Sequence, residues 1–261
     1  KIPGLSAHMG KGYIMPLPVL PVAEFSTITL PTPMADKQHE LPLSIVLYDA
    51  DGSVAAKKYL GRLPRRDCPP TEIDVWLRDA AAALKSGFGH VEYQYDFRDG
   101  GEADGWLHAL AKFERRSSGH TAETIFGAHI YNTPIIYRDE PQSYTHRPPG
   151  LTTRLYLRIG DAPLETLCHL VYPASLPWVK TSTTTLTLFD AKANEVAQRT
   201  VHIPCGGSLY WQVGKTFSAA ERKAAGDGPW LQVRDTTCRL FGFHGLLHPA
   251  GGFCVDHMFG F

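Results

Sequence analysis

No run of this chain approaches the roughly 18 consecutive apolar residues that a membrane-spanning helix needs. Charge of either sign is not in excess, since 26 Lys and Arg stand against 26 Asp and Glu. The basic residues are scattered, and Arg65-Arg66 and Arg115-Arg116 are isolated pairs and form no stripe. Both absences remove the electrostatic case for nucleic acid or an anionic membrane as partner. The chain opens on Lys1-Ile2-Pro3-Gly4 with no apolar secretory leader. Cysteine is sparse and odd in number: Cys68, Cys168, Cys205, Cys238 and Cys254 contain no C-x-x-C and match no zinc-finger spacing. Buried thiols are the expectation, with a Cys238–Cys254 bridge as the alternative, and the lean is toward a reducing, cytoplasmic setting.

Catalytic signatures are missing too. There is no G-x-S-x-G elbow, no P-loop and no G-x-G-x-x-G, so hydrolase, nucleotide and dinucleotide chemistry lack their usual anchors. Cys205 precedes Gly206-Gly207, where backbone amides could stabilise a thiolate, but a nucleophile there would need a histidine close in space, which sequence does not show. A carbohydrate-active protein would need a carboxylate pair, and none can be nominated.

What the chain does contain is a repeat. Displaced by about 141 positions, Ser44–Ala50 lies over Thr185–Ala191, both ending in aromatic-Asp-Ala. Pro21 and Pro31 lie over Pro163 and Pro173 with one residue of slippage. The signals around these anchors recur in the same order. A proline-punctuated lead-in (Tyr13–Pro31, Leu155–Pro173) precedes the matched strand and a turn, with Gly52 replaced in the second copy by Asn194. A return strand ends at Leu63-Pro64 or Ile203-Pro204, where proline marks a strand end. Short apolar stretches, Ile73–Leu77 and Ser208–Val213, then lead into brief helices at Arg78–Lys85 and Ser218–Ala225, stopped by Gly87 and Gly226. Ser218 and Glu221 have the spacing of a capping box. Strands with one half-buried face, around His90–Tyr95 and Trp230–Arg234, follow, and two more close each copy.

Eight or so short strands and one short helix per copy predict an all-β chain of two tandem β-sandwiches, immunoglobulin-like or jelly-roll-like, related by internal duplication. The expected boundaries are 1–131 for the first repeat with an extended N-terminal arm, 132–150 for a Pro-rich linker, and 151–261 for the second repeat.

Two constellations compete for function. Copy two is richer in rings, and Tyr210, Trp211, Trp230 and Phe243 are candidates for a ligand or partner face, because planar side chains on a sheet stack on sugars and apolar groups or anchor interfaces. Histidines follow the repeat as pairs nine apart, His120/His129 and His248/His257. A hairpin gathering His244, His248 and His257, with Asp256 as ligand or orienter, would hold a transition metal such as zinc or iron. Asp49, Asp51 and Asp190 are read as turn residues, and the loop Arg98–Gly105 as solvated. The favoured expectation is a non-catalytic binding or assembly module without cofactor, recognising a protein partner or small ligand mainly through the second repeat, with self-association open. A metal-dependent enzyme or metal-binding protein is the alternative.

Overall fold

The computed structural model describes residues 11–13, 16–35, 40–64, 67–96, 105–130, 152–174 and 179–260. The proposed linker and the loop 98–104 lie outside them. Among the described residues, nine strands form the N-terminal half: β1 (Lys11–Tyr13), β2 (Leu17–Val19), β3 (Phe25–Ala35), β4 (Glu40–Asp49), β5 (Val54–Pro64), β6 (Thr71–Glu72), β7 (Gly89–Asp96), β8 (Gly105–Arg115) and β9 (Thr121–Ile130). Nine more form the C-terminal half: β10 (Thr153–Arg158), β11 (Glu165–Val171), β12 (Thr184–Phe189), β13 (Glu195–Val201), β14 (Ser208–Gln212), β15 (Trp230–Asp235), β16 (Phe241–Leu247), β17 (Phe253–His257) and β18 (Phe259–Gly260). Every ladder is antiparallel.

Sheet order repeats strand for strand. Sheet I runs β5-β4-β7 with β2 beside β7, and sheet III runs β13-β12-β15-β10. Sheet II runs β6-β3-β8-β9, and sheet IV runs β14-β11-β16-β17. The extra strands β1 and β18 sit at the ends of sheets I and III. Even an irregularity is duplicated: the β4/β5 register slips between Leu47 and Tyr48, and the β12/β13 register slips between Leu188 and Phe189. A bulge at the same place in both copies fits the internal repeat, because bulges set the local bend of a strand.

Each half closes as a sandwich. Leu43, Ile45 and Leu47 of β4 with Val91 and Tyr93 of β7 face Phe25 of β3 and Ala109, Ala111 and Phe113 of β8. Leu155 and Leu157, Leu186 and Leu188, and Leu231 and Val233 of sheet III face Cys168, Leu170 and Trp211 of sheet IV. Strand β10 alternates buried Leu155 and Leu157 with exposed Arg154 and Arg158, the signature of a strand covered on one face. The N-terminal core also draws in Leu167, Leu247 and Val255 from sheet IV, so the two halves share one apolar region.

Three expectations need correction. The first helix, α1, spans Ile73–Asp79, not Arg78–Lys85. Alanine propensity over 80–83 loses to tertiary contacts: Ile73 is buried, Ala81 takes φ 49°, and the Asp49 carboxylate captures the Lys85 and Ser86 amides. In the second turn the left-handed residue is Ala193 (φ 65°), the counterpart of Gly52 (φ 86°), and not Asn194. Asn194 instead donates through its backbone and its amide to Asp190, which holds the turn closed around the strained alanine. Finally, β7 is not half-buried, because His90, Val91, Glu92 and Tyr93 are all buried. Short α2 (Val213–Thr216) and α3 (Ala219–Ala225) follow β14, and α3 carries the expected Ser218–Glu221 capping box.

Candidate functional site

The outer face of sheet III carries a row of rings. The ladder sets Phe189 opposite Trp230, and Trp230 opposite Arg158. Phe189 and Trp230 stack with centroids 4.3 Å apart at 11°, and Tyr156 leans on Trp230 at 5.8 Å. All three are partly exposed, and Gln232 donates its amide to the Tyr156 hydroxyl at 3.2 Å beside them. Flat rings backed by a rigid ladder lose little conformational entropy on contact, which suits them to docking.

The same device stands at the equivalent place in the N-terminal half with a different fate. Tyr48 lies opposite His90 in the β4/β7 ladder, stacked at 5.1 Å and 12°, yet both are buried. The C-terminal half covers them. The Glu92 carboxylate accepts the Ala174 backbone amide at 2.7 Å and lies 3.2 Å from His90 Nε2. Ser208 donates its amide to the Ala50 carbonyl at 3.1 Å. Further along this seam Arg115 donates to the His248 carbonyl at 2.8 Å, Ser118 to the Gly251 carbonyl at 3.0 Å, and Phe25 meets Phe253 at 5.3 Å. From sheet IV, His169 enters the seam fully buried between Phe88 and Tyr210. Burial holds its imidazole down at about 3, His90 adds to the depression, and the nearby Gly89 backbone offsets part of it. Burial also raises the Tyr48 and Tyr210 hydroxyls, the latter to about 12.

The four candidate rings of the second repeat part company. Trp230 lies on the open face of sheet III. Trp211 is buried in the C-terminal core, and its Nε1 has no hydrogen-bond partner among the described residues. Tyr210, its chain neighbour, points to the opposite side of sheet IV and lines the seam, as alternation along a strand requires. Phe243 is fully buried.

The histidines separate as well. His244 is paired with Asp256 and His257 with Phe243, so the ladder assigns the two imidazoles to opposite faces of sheet IV. His248 opens the β16–β17 turn and accepts the Ala250 amide on Nδ1 at 3.0 Å. His120 ends the β8–β9 turn whereas His248 begins its own, so the nine-residue spacing does not mark equivalent positions. No group of three or more His, Cys, Asp or Glu side chains among the described residues is placed to hold a metal ion. His244, Asp256 and His257 do line a groove of about 880 Å³ between the halves, together with Glu123 and Ile125 of β9. Burial lowers the His244 imidazole, partly countered by Asp256. All five cysteines are free thiols, with Cys168 and Cys238 buried and Cys254 exposed.

Sequence reasoning missed Phe189 and Tyr156, and it missed the seam residues His90, Glu92 and His169. A signal for Phe189 was available, since it occupies the Tyr48 position in the matched stretch.

No protein-family description matches the chain, and no curated protein matches it. Among solved structures, a chain named BspA_C_WT is similar over 90% of this chain and 85% of that one, at 7% identity and a TM-score of 0.23. The β-sandwich assignment stands on the four sheets themselves.

Proposed function

We propose that the protein is a non-catalytic assembly module of two β-sandwich domains, 1–131 and 151–261 joined by 132–150, whose partner surface is the outer face of sheet III around Trp230. One observation carries this reading. The equivalent surface of the N-terminal half, with the equivalent stacked pair Tyr48/His90, is already a protein–protein contact within the chain, while Phe189/Trp230 is left partly open. A repeat that binds its sister through one face is suited to bind a further copy through the counterpart of that face. The partner tested first is therefore a second copy of the chain.

Sedimentation velocity across a concentration series tests it. Wild type should associate as concentration rises, and Trp230→Ala and Phe189→Ala should each weaken association at least tenfold while keeping wild-type circular dichroism, since a central aromatic anchor carries about 2 kcal/mol or more. A wild-type chain that remains monomeric throughout, or variants that associate as wild type does, would refute the reading.

A further inference from the structure

Outer sheet faces of a sandwich ordinarily carry solvated side chains, and an imidazole there needs no special surroundings. His90 and Glu92 on sheet I and His169 on sheet IV occupy such faces, yet each is 0% exposed because the halves are pressed together over them. Their polar atoms are poorly served. Both ring nitrogens of His169, Nδ1 of His90 and Oε2 of Glu92 lack a hydrogen-bond partner of normal geometry among the described residues. Such groups cost free energy in the closed seam that water would recover if it opened.

The surroundings of His169 offer a proton no counter-charge. Phe88 faces it from just before β7, the Gly89 backbone and His90 from β7, Tyr210 from β14 and Phe243 from β16. Glu92 is engaged by His90 and Ala174. Tyr48, stacked on His90, and the half-buried Cys205 thiol are further ionisable groups of this region, and burial raises both, so neither supplies an anion near neutrality. Glu24 and Glu165 lie near enough to act on Tyr210.

We propose that the seam between the halves is an acid-operated latch, closed near neutral pH and opened in mildly acidic medium by protonation of His169. The C-terminal half survives opening, because its core is built from its own residues alone, whereas the N-terminal core gives up Leu167, Leu247 and Val255. The direction follows from linkage. In the closed seam the His169 imidazole is held at about 3, against its ordinary 6.5 once solvated. Closure is therefore fully stabilised above pH 6.5 and weakens progressively between 6.5 and about 3. At pH 4.5, two units below the solvated value, the opening equilibrium shifts by about 100-fold.

Two amides report on the latch directly, because their hydrogen bonds cross it: Ala174 to Glu92 and Ser208 to Ala50. Amide exchange of the full chain, measured by NMR at pH 7.0 and 4.5 and corrected for intrinsic rates, should show their protection falling by about 100-fold in acid. Amides of Leu186 and Leu231 in sheet III should keep theirs. His169→Phe should abolish the acid effect on Ala174 and Ser208, and if that variant does not fold, His169→Gln, uncharged at both pH values, takes its place. Unchanged protection of the two amides in wild type overturns the proposal. So does an acid response that persists in the variant, or sheet III losing protection in step with the seam.

Discussion

Alanine at position 207 is a sharp test of how tightly the halves are joined. Gly207 has no unusual φ, so its requirement is space alone. A Cβ there would collide with the Ala50 carbonyl oxygen across the seam and would lie 2.7 Å from Pro204 Cγ and 2.9 Å from the Pro204 carbonyl oxygen. Two of these obstacles are backbone, so relief requires the 204–207 turn and the β4–β5 turn to separate. The Ser208–Ala50 hydrogen bond, 3.1 Å long, joins the same two turns and would be stretched beyond useful range. Overpacking at about 1–3 kcal/mol and one lost hydrogen bond at about 1 kcal/mol bring the expected destabilisation to about 2–4 kcal/mol. With a urea slope near 3 kcal/mol per M, the midpoint should fall by about 1 M. Gly252→Ala is the control: its Cβ would meet only His248 Cβ, at 4.0 Å, and the change should stay within about 0.5 kcal/mol of wild type. Equal midpoints for the two variants would refute the close approach of the turns and the shared core built on it.

Two predictions test the second half independently of the seam. Asp235 is buried at the end of β15 and accepts from the Thr184 hydroxyl, from the amide and hydroxyl of Thr237, and from the Cys238 amide. Asp235→Ala takes the acceptor from the Thr237 and Cys238 amides, the Thr184 hydroxyl keeping Ser182 Oγ, and should cost about 2–4 kcal/mol, read as a lowered Tm, with Asp235→Asn recovering part of the loss. Glu221 is held down at about 2 by the Arg199 guanidinium first and then by the Ser218 amide and hydroxyl. A depressed carboxylate contributes stability above its ordinary value of 4.5 that is lost as pH falls from there toward 2. Carboxyl-carbon NMR should place its midpoint near 2, and Arg199→Gln should raise it; a midpoint above 4 in wild type would show the ion pair absent.

The repeat was legible because strand order is written as a linear sequence of local signals. The aromatic-Asp-Ala ending of β4 and β12, the proline that closes β5 and the one that follows β13, and the capping box at Ser218 each act within a few residues, so reading them needs no knowledge of what lies opposite. The helix misplacement shows where such signals fail. Residues 78–85 are good helix formers, but Asp49, 36 residues away, takes the Lys85 amide, and no local propensity records that competition. The candidate site fails in the same way. Tyr210 and Trp211 are neighbours in sequence and lie on opposite faces of one sheet, so choosing them together as one surface asked for a geometry that a strand forbids.

By itself the sequence determined the all-β class, the duplication and where its turns fall, though not that Ala193 takes the left-handed position in the second turn, because alternation, turn residues and caps act over short distances and recur wherever the pattern recurs. Only the tertiary structure decided which copies of equivalent residues are covered. Tyr48 and Phe189 occupy matching positions in matching strands, yet one is buried beneath the other half and its counterpart remains partly open. That difference arises from docking one half upon the other. The docking depends on the shape of whole sheets and on close backbone approach at Gly207, which no window of sequence contains.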